Sequence, residues 1–119
     1  MIFDLRDTID LMNSPDYKQR FQAEYWQTKI RYEKLKAMLI RWEAFTENEA
    51  NIGYPGLHYT DRLKEALGFI PSCPYSMLKE QQIHMGEYLH SLELRAALEH
   101  ISLTESCLYT ESLHEAEEK

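Results

Sequence analysis

Residues 15–46 read PDYKQRFQAEYWQTKIRYEKLKAMLIRWEAFT, a run with no glycine and no proline after its first residue. Within it Phe21, Tyr25, Thr28, Tyr32, Leu35, Leu39 and Trp42 succeed one another at alternating spacings of four and three. That period lays one seam along a helix, as in a heptad repeat. The run is long for a globular helix, roughly 45–50 Å at 1.5 Å per residue, so it needs a partner along its length. Ser14 is the expected N-cap, with Pro15 in the first helical position and Asp16 adding negative charge to the first turn.

Working outward, the partner is found at residues 74–101. Leu78, Gln82, Met85, Leu89, Leu92 and Ala96 repeat the same spacing, with one polar slot and a mid-helix Gly86. Upstream, residues 4–12 read as a short helix that Asn13-Ser14-Pro15 stops. Between the long helices, Asn51-Ile52-Gly53-Tyr54-Pro55-Gly56 is dense in turn formers, and Thr60 opens a short helix at 60–67 that Gly68 ends. Residues 104–119 form an acidic tail, expected as a short helix that frays. The predicted fold is all-α: a long antiparallel helical hairpin with a short N-terminal helix, a short helix in the connection and a helical C-terminal tail, in one domain spanning 1–119.

The long helix carries a second, weaker stripe. Ala23, Trp26, Ile30, Ala37 and Ala44 lie away from the first seam, and a helix apolar on two faces meets two neighbours. In so small a protein the second neighbour can be another chain, which makes Ala23, Trp26, Ile30 and Ala37 candidate homo-oligomer contacts. The other reading packs Trp26 on the short first helix or on the tail.

Composition excludes several classes. The chain has 119 residues and a formal net charge of -7, which argues against direct DNA binding. No run of 18 apolar residues is present, so no membrane span is expected. The first ten residues do not have the pattern of a signal peptide. Cys73 and Cys107 are too few for a disulfide scaffold.

The charge is unevenly placed. Lys18, Arg20, Lys29, Arg31, Lys34, Lys36 and Arg41 face only Glu24 and Glu33 between residues 17 and 42, a surplus of five. The remainder of the chain therefore carries -12. One reading pairs the basic flanks with Glu80, Glu87, Glu93 and Glu99 of the facing helix. The other gathers Arg31, Lys34 and Arg41 into a site for an anionic ligand. Tyr54, His58, Tyr59 and Arg62 join that second reading, as rings that could stack on a base and a cation near a helix N-terminus. Equally, the tyrosines could simply cover the open end of the hairpin.

Catalytic and metal patterns are weak. Glu87-x-x-His90 and Glu111-x-x-His114 have di-iron spacing, but the first points away from the seam and the second lies in the tail. Glu80 and His84 are a single pair, and two ligands do not make a site. No nucleophile elbow or phosphate loop surrounds Cys73. No catalytic residue, metal or cofactor is expected, and the chain reads as a non-enzyme.

Two parts of the chain carry a resemblance. One comprises Asp7-Thr8-Ile9-Asp10-Leu11-Met12-Asn13-Ser14, Asp16-Tyr17-Lys18-x-Arg20-Phe21 and Arg31-Tyr32-Glu33-Lys34-Leu35. The other is Leu78-x-x-Gln81-x-x-x-Met85-x-x-Tyr88-Leu89-x-x-Leu92-x-x-Arg95. Over residues 4–45 and 71–101 they resemble small helical-hairpin accessory proteins of phages and prophages of Gram-positive, often gut, bacteria. The stretch 54–68 and the tail depart from that pattern. More loosely, the chain is similar to hairpin sponge proteins of the anti-CBASS and anti-Thoeris class. That resemblance implies a non-enzymatic counter-defence protein in the cytoplasm of an infected bacterial host cell. It would be an oligomer sequestering a cyclic nucleotide or an ADP-ribose-type signal. The alternatives are an acidic inhibitor of a host defence protein, in the manner of an anti-CRISPR, and a structural accessory role.

Overall fold

The computed structural model describes residues 5–52 and 58–103, with only the helical backbone described for residues 51 and 52. Every regular element among them is helical. A 3₁₀ turn, Leu5–Thr8, runs into α1 (Ile9–Met12); α2 is Tyr17–Ile52, α3 is Tyr59–Leu67 and α4 is Tyr75–Glu99. The all-α expectation holds, and the expected acidic tail lies outside the described residues.

Local chemistry explains the boundaries. Helix α2 starts at Tyr17, two residues later than predicted, because Asp16 is its cap: the Asp16 carboxylate accepts the Lys18 N–H at 2.9 Å, and the Asp16 carbonyl accepts the Arg20 N–H. Ser14 stands one step back, its hydroxyl accepting the Asp16 N–H. At its other end α2 continues past the predicted stop at Thr46 to Ile52. The extension contains a buried Glu49 bound to Arg62 of α3, so a tertiary ion pair holds turns that no apolar stripe would hold. Helix α3 opens one residue earlier than predicted, with His58 rather than Thr60 at the cap, in the left-handed region at φ 55°. Gly68 closes it at φ 87°, its N–H bonded to the Lys64 carbonyl at 2.7 Å, as glycine at a helix C-terminus does.

Helix α4 ends two residues before the predicted Ile101. His100 turns into the left-handed region at φ 59°, and the Ile101 N–H bonds the Ala96 carbonyl at 2.9 Å. This is a Schellman closure, with Ile101 and Ala96 both buried beside it.

The described residues fall into two compact units. One is residues 33–84; the other is built from the chain on either side of it. In the flanking unit, Phe21, Tyr25, Leu89, Leu92, Ala96 and Ile101 form a buried cluster, with Trp26, Tyr32 and Leu103 packed against it. Its helix segments run antiparallel: Tyr25 donates to Glu93, Tyr88 donates to Glu24 and the Tyr32 ring lies against Gly86. A Cβ on Gly86 would stand 3.3 Å from that ring, so this glycine serves close approach. The N-terminal turn joins the same unit, since Gln27 donates to the Thr8 hydroxyl at 2.9 Å and reaches the Met12 sulfur.

In the central unit, Leu39, Leu63 and Leu67 are buried, and so are Glu49 and Gln82. Leu39 and Gln82 occupy the seam positions that the sequence pattern assigns them. The polar Gln82 therefore enters the interior, as the heptad register requires.

Candidate functional site

The central unit contains an open cleft of about 790 Å³. One wall is a face of α2: Ile40, Glu43, Ala44 and Glu47 recur at helical spacing, joined at the edge by Trp42 and Thr46. Tyr59, the first residue of α3, and Tyr75, the first residue of α4, supply the rest. This size suits a small molecule, and an aromatic lining with few polar groups is the usual composition of such a site.

The rings are fixed edge to face. Tyr75 stands against Trp42 with centroids 5.6 Å apart at 76°, and Tyr59 against Phe45 at 5.4 Å and 64°. Such pairs hold each ring at a set angle and leave its other face available. Tyr75 is held from its other end as well. Its hydroxyl donates to the Glu43 carboxylate, which also receives the Lys79 ammonium at 3.2 Å. The Tyr75 hydrogen bond first, and Lys79 next, hold the Glu43 carboxyl below its ordinary value. The same bond pushes the Tyr75 phenol up. Tyr75 thus remains a neutral donor with a fixed orientation.

Glu47 is different. It is exposed, and no ion pair joins it to another described residue. The lining therefore offers three aromatic rings and one open carboxylate, with no lysine or arginine among the lining residues. It can stack a planar ring and accept hydrogen bonds from N–H groups at the ring's edge.

The candidates drawn from the sequence are dispersed. Tyr59 lines the cleft. His58 is exposed at the cap of α3. Arg62 is turned to the buried Glu49 rather than into the cleft. Lys34 and Arg41 are exposed on α2 in the central unit, while Arg31 is exposed in the flanking unit. Tyr54 lies outside the described residues.

Five of the seven cations expected to pair across the hairpin do not do so. Lys18, Arg31, Lys34, Lys36 and Arg41 form no ion pair with another described residue. Three of the four acids expected opposite take other partners: Glu93 accepts from Tyr25, Glu99 pairs with Arg95 of its own helix, and Glu80 lies 3.5 Å from His84.

Of the stripe proposed for self-association, Ala23 and Ile30 are buried within the single chain and Trp26 packs against the flanking core. Ala37 is exposed.

Trp42, Glu43 and Tyr75 were not among the sequence candidates for a site. Trp42 has the spacing of the core seam, which conceals a half-exposed position at the cleft edge. The available signal was the pairing of Tyr75 with Lys79, two hydrogen-bond donors one turn apart at the start of α4.

Among the described residues no group of three or more His, Cys, Asp or Glu is placed to hold a metal ion. Cys73 carries a half-buried free thiol, and Cys107 lies outside the described residues. No helix among the described residues is long and apolar enough to cross a membrane.

A family model described as Sequestin matches residues 15–52 and 59–98, well over half of the chain. The matched spans take in nearly all of α2, α3 and α4, and with them every residue lining the cleft. No curated protein matches the chain, and no solved structure does.

Proposed function

The chain belongs to the Sequestin family, and from that premise we propose that it is a phage counter-defence sponge for a nucleotide immune signal. The family makes it a sequestering protein, one that acts by binding rather than by turnover. The cyclic nucleotide or ADP-ribose-type ligand, the phage origin and the infected bacterial host belong to the proposal.

The observation that carries it is the open aromatic cleft of about 790 Å³. A base stacked on Trp42, Tyr59 or Tyr75 would present its N–H edge to Glu47. Phosphates cannot be held by the lining itself, which contains only carboxylates as charged groups. The exposed Lys34, Lys36 and Arg41 of the same unit are the cations available to them. The site assigned here differs from the sequence expectation in that Arg62 serves the fold through Glu49.

The test is calorimetric titration with a panel of cyclic dinucleotides and cyclic ADP-ribose isomers, read beside thermal unfolding. One member should bind and raise the melting temperature, because a ligand that binds only the folded state stabilises it. Heating the complex should return that ligand chemically unchanged, as sequestration requires. Tyr59→Ala and Trp42→Ala should each weaken binding about tenfold or more, given roughly 1–3 kcal/mol per stacked base. No binding across the panel would sink the nucleotide reading.

A further inference from the structure

The two units treat their aromatic rings differently. In the flanking unit the chain sets its own cations over two of them. The Lys29 ammonium stands 5.8 Å from the Tyr32 centroid, and the Arg95 guanidinium 4.9 Å from that of Phe21. In the cleft of the central unit, no described cation stands over Trp42, Tyr59 or Tyr75.

The same cleft carries uncompensated negative charge. Both partners of Glu43, the Tyr75 hydroxyl and the Lys79 ammonium, sit on its Oε2. Its Oε1 has no partner among the described residues. Lys79 offsets Glu43, and nothing described offsets Glu47.

We propose that the cleft takes a ligand whose planar ring is itself positively charged, a heteroaromatic ring alkylated at a ring nitrogen. The proposal narrows the nucleotide reading and rests on it for the choice of ring. The quadrupoles of Trp42, Tyr59 and Tyr75 attract a cation to their faces, more strongly as water is displaced. Glu47 and the open oxygen of Glu43 supply the opposing charge. A neutral base would gain the stacking, but it would cover carboxylates without neutralising them, which costs desolvation. Phosphates of the same ligand, repelled by those carboxylates, would lie outside the lining.

The experiment titrates the full chain with two isomeric nucleosides, N1-methyladenosine and N6-methyladenosine, by calorimetry in neutral buffer. They share one ring system and one added methyl group, and only the first has a positively charged ring. The cation should bind about tenfold or more tightly than its neutral isomer. Glu47→Gln keeps a hydrogen-bond acceptor and removes the charge, so it should shrink that ratio severalfold. Its side chain is exposed, and the melting temperature checks that the variant folds. Choline, a cation without a ring, should bind more weakly than N1-methyladenosine. Equal affinities for the two isomers overturn the proposal. So does a failure of N1-methyladenosine to bind at millimolar concentration, a ratio that Glu47→Gln leaves intact, or choline binding as tightly as the ring cation. Equal isomers beside a bound neutral cyclic dinucleotide would overturn this inference and leave the nucleotide reading standing. A clear preference for the cation, with no member of the signal panel bound, would sink the nucleotide signal and keep the charge preference.

Discussion

Helix α2 carries one stripe of small and apolar residues into two different settings. In the flanking unit Ala23 is 1% exposed and Ile30 is 9% exposed, and Gln27, on the same face between them, binds Thr8 and Met12 of the N-terminal turn. In the central unit Ile40 is 54% exposed, and Ala37 and Ala44 are open. The difference teaches that a second apolar face does not by itself say what covers it. The chain supplies a cover for the first half of the stripe and leaves the second half as a surface, with the cleft cut into its edge.

The largest test of that contrast removes an apolar side chain from each setting. Leu92 is 2% exposed in the flanking cluster, and Leu92→Ala should cost about 2–5 kcal/mol in urea unfolding, through lost burial and the cavity left behind. Ile40→Ala should change stability by no more than about 0.5 kcal/mol when measured at high dilution, where self-association plays no part. If the two costs were alike, Ile40 would have a cover within the chain and the contrast would break.

A sharper version adds bulk at matched positions of the stripe. Ala23→Leu forces a larger side chain into a filled space and should cost about 1–3 kcal/mol. Ala37→Leu, at high dilution, should lie within about 0.5 kcal/mol of wild type, since nothing in its own chain confines it. Equal effects at the two alanines would mean that the N-terminal turn does not seat on Ala23.

These positions also show how far the sequence could be read. The heptad seams predicted the buried rows well: Phe21, Tyr25, Thr28 and Leu39 on α2, and Gln82, Leu89, Leu92 and Ala96 on α4, are all buried. Periodicity reports which residues share a face, and that is enough for a helix and its core side. It does not report which short segment comes to lie on a second face, so Ala23 and Ala37 read alike.

Helix ends were less legible for a related reason. The turns after Thr46 look polar in sequence, yet Glu49 is buried there by a partner, Arg62, 13 residues away. The cleft was the least legible part. Tyr59 and Tyr75 each open a helix, and only the course of the connection brings them to α2. Arg62 looked like a ligand cation because its residue type suits one, and a buried carboxylate claimed it instead.

The smallest expected effect lies at the cleft wall and concerns acid. Glu43 titrates below its ordinary value because Tyr75 donates to it and Lys79 faces it. A carboxyl lowered in the folded chain contributes stability above its unfolded pKa, near 4.5, and loses it as pH falls through the lower folded value. Tyr75→Phe deletes the larger of the two causes. The variant should therefore melt slightly below wild type at about pH 6, and the gap should close as pH falls through the lowered folded value, below which Glu43 is protonated in both. Glu43 is 41% exposed, so solvent screening keeps the effect small. No gap at any pH would show that Tyr75 acts on stability through its packing on Trp42 alone, which the phenylalanine ring keeps. The carboxylate would then be dispensable to the fold, and Glu43 and Glu47 would both stand open to a ligand.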